Sequence, residues 1–328
     1  MYFLMLKQTF ASLLVAFSCV LAAAEDRRPL PGDVPSVIGT AVAAGILSGC
    51  LCGISHGETS TETPAAAGDP VAEHEAVRQR TATSFAHAAY FSPVHDEAVG
   101  RSVWMAPLVL QEFHFEDGTP EFPKFGAVKV SESGQHTVGT DRPTVYTTAR
   151  RIRIGRRLYR QDSYLWFYPP AEPGKPLRYR GFRQTLGRNG FPAVRELIKD
   201  EPTKRIFFVS KSLERAAALQ FGAPLAGRCF SLEPDCSKHP NVVVARVLQD
   251  AARPMGPFVY LDSSSLDIPN LKCRCERSQV SEFALKREYH LVPVASFEEL
   301  PAKRRGTKDV SLPDATQLSG TLRLPNSM

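Results

Sequence analysis

Residues 151–168 read RIRIGRRLYRQDSYLWFY, and this stretch decides the predicted fold. Apolar and charged residues alternate on both sides of Gly155 and Arg156, which is the period of a half-buried β-strand. Because Gly155-Arg156 suits a two-residue type II′ turn, we predict a β-hairpin with its arginines on the side that faces water. The apolar side chains predicted to share the other side are Ile152, Ile154 and Leu158.

The neighbouring sequence predicts more strands than helices. Residues 164–168 form an apolar and aromatic run typical of a buried strand, and Pro169-Pro170 ends it. Residues 210–222 predict the clearest helix, with Ser212 as its N-cap and Gly222 at its end. The other predicted elements are a hairpin at residues 177–198 and strands at 205–209, 241–248 and 257–262. We therefore expect an α+β fold with a mainly antiparallel β-sheet and few helices.

The composition is that of an ordinary globular protein. Of the 328 residues, 43% are hydrophobic and 23% are charged, which excludes a disordered chain, a coiled coil, a collagen and a polytopic membrane protein. The 22 Gly and 26 Pro predict short elements joined by many turns. The predicted organisation is an apolar leader at residues 1–54, a low-complexity linker at 55–85, a globular domain at 86–300 and a flexible tail at 301–328.

The N-terminal residues indicate export. Lys7 precedes an apolar run at residues 10–24 that ends in three alanines, which is the pattern of a signal peptide. A second apolar stretch at residues 34–54 contains Leu47-Ser48-Gly49-Cys50, which resembles the lipobox of bacterial lipoproteins and predicts acylation at Cys50.

Three interpretations of the leader remain open. The first is translation from a later start with acylation at Cys50, and the second is cleavage after Ala24, which leaves residues 34–54 next to the membrane. The third is an uncleaved pair of helices, which Pro35 and several glycines disfavour. All three place the rest of the chain outside the cytoplasm.

The positive charge is concentrated in one stretch. The chain carries a formal charge of +6, but residues 55–140 sum to −7 and residues 141–190 sum to +9. Arginine beside aromatic residues is typical of surfaces that bind phosphate groups. The predicted anion-binding residues are Arg151, Arg153, Arg156, Arg157 and Arg160, with Tyr159, Tyr164 and Trp166 nearby. The alternative is that these charges are only solvated, or are neutralised within the fold.

Four cysteines belong to the predicted domain. Disulfides are the first expectation in an exported protein, and crossed pairing of Cys229 and Cys236 with Cys273 and Cys275 avoids a strained bond between residues two apart on a strand. Free buried thiols are a second possibility. A third is a Zn²⁺ or Cu(I) site, with His239 as a substitute ligand.

The sequence does not favour an enzyme. It contains no H-E-x-x-H, Walker, G-x-G-x-x-G or EF-hand pattern. Residues 53–57 match the G-x-S-x-G pattern of hydrolases, but that serine requires a strand before it and a helix after it. Here an apolar leader precedes Ser55 and a linker rich in Thr, Pro and Ala follows it.

Four segments carry a resemblance to an uncharacterised family of exported bacterial proteins. They are GFRQTL at residues 181–186 running to GFP at 190–192, FVSKSLE at 208–214, MGPFVY at 255–260 and CRC at 273–275. The resemblance implies export and a shared fold, and no activity. Cys229 and Cys236 lie outside these segments, which leaves Cys273 and Cys275 open to act as a pair.

The sequence thus predicts an exported cell-envelope protein, tethered to the membrane or secreted. Its expected role is binding or structural, with a basic face for an envelope polymer, an anionic lipid or another envelope protein. No nucleic-acid partner is expected, and membrane contact is through a lipid anchor or the N-terminal segment. The alternative is a metal-binding or thiol-dependent enzyme that uses the four domain cysteines and His239.

Overall fold

The structure is a computed structural model, and it describes residues 69–94, 101–130, 136–172, 175–200, 203–295, 297, 300 and 318–328. The leader, Cys50, Ser55 and residues 55–68 of the predicted linker lie outside the described residues, as does the tail up to residue 317.

Short strands dominate the described residues. The strands are β1 (Phe85–Pro93), β2 (Leu108–Glu112), β3 (His114–Glu116), β4 (Thr119–Glu121), β5 (Ala127–Val130), β6 (His136–Gly139), β7 (Thr144–Ile154), β8 (Arg157–Tyr168), β9 (Arg178–Leu186), β10 (Pro192–Lys199), β11 (Arg205–Ser210), β12 (Val242–Leu248), β13 (Pro257–Leu261), β14 (Asn270–Cys273) and β15 (Val280–Pro293). The helices are α1 (Pro70–Arg80), α2 (Arg101–Met105), α3 (Lys211–Phe221) and α4 (Leu318–Thr321). No helix in this part of the chain is long and apolar enough to cross a membrane.

Eleven of these strands form one large mixed sheet, in the order β12-β11-β10-β9-β8-β7-β15-β1-β2-β13-β14. The expectation of a β-rich fold with few helices is therefore confirmed. The pairs β1–β15, β15–β7, β2–β13 and β11–β12 are parallel, and the other neighbours are antiparallel. Parallel neighbours are distant in sequence, so the local hairpin pattern did not reveal them.

The predicted arginine hairpin is the β7–β8 pair. Ile154 faces Arg157 across a two-residue turn, and φ is +58° at Gly155, as a type II′ turn requires. The prediction for Leu158 is wrong, because this register places it opposite Arg153, on the arginine side. Leu158 is accordingly 58% exposed, while Ile152 is buried with Tyr159 on the other side.

Strand β8 is covered on both faces. Tyr164, Trp166 and Tyr168 pack in the largest apolar cluster, and the alternate residues Leu165 and Phe167 pack in a separate cluster on the opposite face. Burial on both sides explains why this stretch is a continuous apolar run rather than an alternating one. Each of these side chains contributes roughly 1.5–3 kcal/mol through the surface it removes from water.

Helix α3 follows β11 without an intervening loop. Its N-cap is Ser210, whose hydroxyl accepts a hydrogen bond from the backbone N–H of Leu213, so the prediction of Ser212 is wrong by two residues. Ser212 instead bonds to Asp250 through both its backbone N–H and its hydroxyl. Gly222 ends the helix with φ of +80°, as predicted.

The last described residues pack on the domain. Leu318 and Leu322 lie one helical turn apart and are buried with Met328 in the cluster under α3. The Tyr159 hydroxyl donates to the backbone carbonyl of Met328 at 2.5 Å. The prediction of a flexible tail is therefore wrong for residues 318–328, because their leucines complete an apolar cluster that the sequence alone does not show.

A buried ion network joins three strands to this C-terminal segment. Glu196 on β10 accepts from Nε of Arg183 at 2.7 Å and from Nε of Arg205 at 2.8 Å. Arg183 and Glu196 are 2% and 3% exposed, and Arg205 also donates to the Thr321 hydroxyl. Neutralising Glu196 would leave the Arg183 charge buried without its carboxylate, which is far more costly than loss of a surface pair.

We expect Glu196→Gln to lower the free energy of unfolding by about 3–5 kcal/mol, because a buried guanidinium loses its counter-charge. Urea denaturation followed by circular dichroism measures this change. Glu288→Gln is the matched control, since Glu288 is exposed on β15 and makes no ion pair with a described residue. Equal unfolding midpoints for the two variants would contradict the stabilising role of the network.

Candidate functional site: the arginine hairpin and the cysteine loops

The five predicted anion-binding arginines lie at one hairpin but not on one face. Arg151 is directly opposite Arg160, and Arg153, two residues along β7, shares their side. Arg156 is in the turn, and Arg157 projects to the other side, opposite Ile154. We call these five residues the arginine hairpin. Its tip therefore presents positive charge in several directions.

Four of these charges have no counter-ion among the residues that the structure describes. Arg151, Arg153, Arg156 and Arg157 are exposed, and none of them pairs with a carboxylate in the described part of the chain. Arg160 differs, because it is half-buried and its Nε donates to Asp162 at 2.8 Å. Like charges opposite each other destabilise a strand pair, so the arrangement of Arg151 and Arg160 is not explained by hairpin stability.

The aromatic residues near the arginines are not available to a ligand. Tyr159 is 7% exposed, and Tyr164 and Trp166 are fully buried. The predicted combination of arginine with stacking aromatics is therefore wrong for this surface. Tyr159 lies on the face opposite Arg160, whereas Tyr164 and Trp166 lie on the same face as Arg160 but are covered by the largest apolar cluster. The apolar group that accompanies the exposed arginines is Leu158.

The crossed disulfides are also wrong in this structure. The Sγ atoms of Cys273 and Cys275 are 2.06 Å apart, so these two cysteines pair with each other. Cys273 is the last residue of β14, and a turn follows in which the N–H of Glu276 donates to the Cys273 carbonyl. This turn brings the two Cα atoms to 5.1 Å, within the ordinary range for disulfides, whereas a continuous strand would hold them farther apart.

The other two cysteines are free thiols in the loop between α3 and β12. Cys229 is exposed and Cys236 is half-buried. His239, in the same loop, accepts hydrogen bonds at its backbone carbonyl from Arg228 and from the N–H of Val242. The described residues contain no group of three or more His, Cys, Asp or Glu side chains placed to hold a metal ion. The Zn²⁺ or Cu(I) site stays a prediction.

This cysteine loop is organised by a buried carboxylate that the sequence reasoning missed. Glu233 is fully buried and accepts from the backbone N–H groups of Cys229, Phe230 and Val244 at 2.9–3.0 Å. Nη2 of Arg78, on α1, donates to the same carboxylate at 2.8 Å. Glu233 therefore connects the loop, strand β12 and the N-terminal helix.

Helix α1 also contributes a buried histidine to this network. Nε2 of His74 lies 2.6 Å from the carbonyl of Pro240, and Nδ1 lies 3.2 Å from Nη1 of Arg228. A carbonyl only accepts and a guanidinium only donates, so the ring is neutral with its proton on Nε2. Burial lowers the pKa of His74, and the positive charges of Arg228 and Arg78 lower it further.

One sequence signal could have shown this docking. His74 and Arg78 are four residues apart on α1, so they share a helix face. That face carries a basic and a neutral polar group rather than an apolar stripe, and its partners are a loop carboxylate and a carbonyl more than 150 residues away. The predicted linker at residues 55–85 therefore contains the whole of this helix.

Comparisons with known proteins give no relative. No protein-family model, no curated protein and no solved structure matches the chain significantly. The resemblance to exported bacterial proteins therefore stays a prediction.

We expect stability to fall as the pH drops below 6.5, the ordinary pKa of histidine, because the unfolded chain then takes up a proton that folded His74 resists. The contribution is at most about 1.4 kcal/mol per pH unit. Urea denaturation between pH 7.5 and 5.5 measures it for the native chain and for His74→Gln, which should show a smaller slope. Equal slopes for the native chain and His74→Gln would contradict the assignment.

Proposed function

We propose that the chain is an exported, tethered binding domain whose arginine hairpin engages an anionic component of the cell envelope. The observation that carries this proposal is that four exposed arginines at one hairpin tip lack internal counter-ions in the described residues. Guanidinium groups bind phosphates and carboxylates through two parallel hydrogen bonds, so the tip suits both classes of anion.

The spacing of the arginines favours a repeated anion over a single small one. Residues two apart on a strand are separated by roughly 6.6 Å, and paired strands by about 4.8 Å. Arg151 and Arg153 follow the first spacing, and Arg156 and Arg157 extend the charge around the turn. A polymer or a lipid surface presents several negative groups to such an array. Each exposed pair contributes little, so the binding depends on the sum and weakens with salt.

We class the fold as α+β with a mainly antiparallel sheet. Antiparallel neighbours outnumber parallel ones in the large sheet, and α1 and α3 pack beside β12 and β11. In this arrangement the arginine hairpin is the turn end of two central strands. β7 and β8 pair with each other from Tyr146–Leu165 to Ile154–Arg157, and this pairing holds the tip.

The binding test replaces Arg151, Arg153, Arg156 and Arg157 with Gln. Binding to vesicles with phosphatidylglycerol should weaken at least about tenfold at low salt, since each basic residue near an anionic surface contributes roughly 1 kcal/mol. Vesicle sedimentation across a salt series measures this, and the variant should show a smaller salt dependence. Polyphosphate and polygalacturonate in the same assay distinguish a phosphate polymer and a carboxylated glycan from a lipid surface.

The matched control removes the same charge elsewhere. Arg215, Arg253, Lys286 and Arg287 are exposed outside the hairpin, and their replacement with Gln gives the same net charge. This control should retain most of the binding. If both variants lose affinity equally, net charge alone explains the binding, and the hairpin is not a site. Native protein that binds none of the three anions would favour another envelope protein as the partner.

Export and tethering are proposals that rest on the leader. We expect the mature chain from its host to begin at Cys50 and to carry acyl mass, because the LSGC tetrad resembles a lipobox. Intact-mass measurement decides this, and Cys50→Ala should remove the acyl mass. Cleavage after Ala24 would support export but not acylation. An unprocessed chain that starts at Met1 would contradict export by a cleaved leader.

A further inference from the structure

A small cavity lies at the junction of β11 and α3, where residues of β10, of β14 and of the segment between β12 and β13 meet. Its volume is about 20 Å³, which is room for one water-sized group. Residues from four separate parts of the chain line it, including Arg195, Ser210, Gln249, Asp250, Gly256 and Cys273. The cavity is distinct from the arginine hairpin, which contributes no residue to its lining.

Arg195 distinguishes this cavity from the rest of the interior. It is 94% buried and lines the cavity, yet it makes no hydrogen bond or ion pair with any described residue, and its Nε atom is buried without an acceptor. The other buried arginines have partners. Arg180 bonds to Asp200, and Arg183 to Glu196. Arg228 bonds to the carbonyls of Val242 and His239.

The charged groups near Arg195 are one cation, Arg274, and one anion, Asp250. Arg274 is a nearby cation and donates its own Nη2 to the carbonyl of Ala106. Burial and the nearby Arg274 together lower the pKa of Arg195 to about 10, with Asp250 acting in the opposite direction, so the guanidinium remains charged at neutral pH. Asp250 is exposed, takes its hydrogen bonds from Ser212 and is not at ion-pair distance from Arg195.

We propose that this cavity binds one anionic oxygen of a phosphate or carboxylate group, with Arg195 as the principal donor. A buried guanidinium without a partner is strongly unfavourable, and an anionic oxygen in the cavity offsets that cost through a charge-assisted hydrogen bond. The cavity admits a single oxygen, so the remainder of the ligand lies at its mouth, beside Asp250 and Gln249. This site uses none of the hairpin residues and does not depend on the function proposed for them.

Titration calorimetry on the full chain tests the site, with inorganic phosphate in one arm and acetate in the other. Ionic strength is held constant with the bulky buffer anion Hepes. Arg195→Met should lower the affinity for the anion by about tenfold or more, because the buried donor is lost. Arg215→Met removes an exposed arginine on α3 and should leave the affinity unchanged. The hairpin variant with four glutamines should also bind normally, which separates this site from the proposed function.

Asp250→Asn provides a second test that does not disturb the interior. Removing the neighbouring negative charge should strengthen anion binding by about threefold, whereas a purely structural role for Arg195 predicts no change. Stronger binding of phosphate assigns the cavity to a phosphate group, and stronger binding of acetate assigns it to a carboxylate. The proposal is wrong if neither anion binds, if Arg195→Met binds as the native chain does, or if Asp250→Asn does not bind more tightly.

Discussion

The pairing of β15 with two different neighbours is the constraint on which the large sheet depends. Its residues from Val280 to Tyr289 pair with β1, and those from His290 to Pro293 pair with β7, both in parallel. Without this strand, the block from β7 to β12 would share no edge with β1, β2, β13 and β14. The backbone of one strand thus joins two halves whose own connections are otherwise mostly local.

Local chemistry predicted the antiparallel block well. The turn at Gly155-Arg156 and the turn at residues 187–190 each join strands adjacent in sequence, so periodicity and turn residues suffice to place them. Strand β15 was not predicted, since its partners lie about 140 to 200 residues away and its exposed residues give no apolar alternation. The helix at α3 was predicted because it carries its own cap and stop signals.

The candidate site was predicted only in part, for a related reason. Exposure of Arg151 and Arg153 follows from the strand period, but that of Arg157, on the other face, does not. Burial of Tyr164 and Trp166 depends on what packs against β8. The disulfide between Cys273 and Cys275 depends on a turn that begins within a sequence of polar residues. Docking of α1 and of residues 318–328 becomes visible only when their distant partners, Glu233 and the cluster under α3, are known.

The basic stretch at residues 141–190 therefore contains arginines of two kinds. Arg160 bonds to Asp162, which belongs to the same stretch. Arg180 and Arg183 bond to Asp200 and Glu196, which lie outside it, so part of the excess is neutralised inside the fold, and by residues that do not come from the acidic stretch at residues 55–140.

The exposed arginines at the hairpin tip are the second kind. They and the buried Arg195 give different evidence for a ligand. An exposed arginine without a partner is solvated at little cost, so its position points to a ligand only through its arrangement with others. A buried arginine without a partner is unfavourable wherever it occurs, so a single residue is informative. Arg180, Arg183 and Arg228 have internal acceptors, and Arg195 has none among the described residues, which is the observation on which the proposed anion site rests.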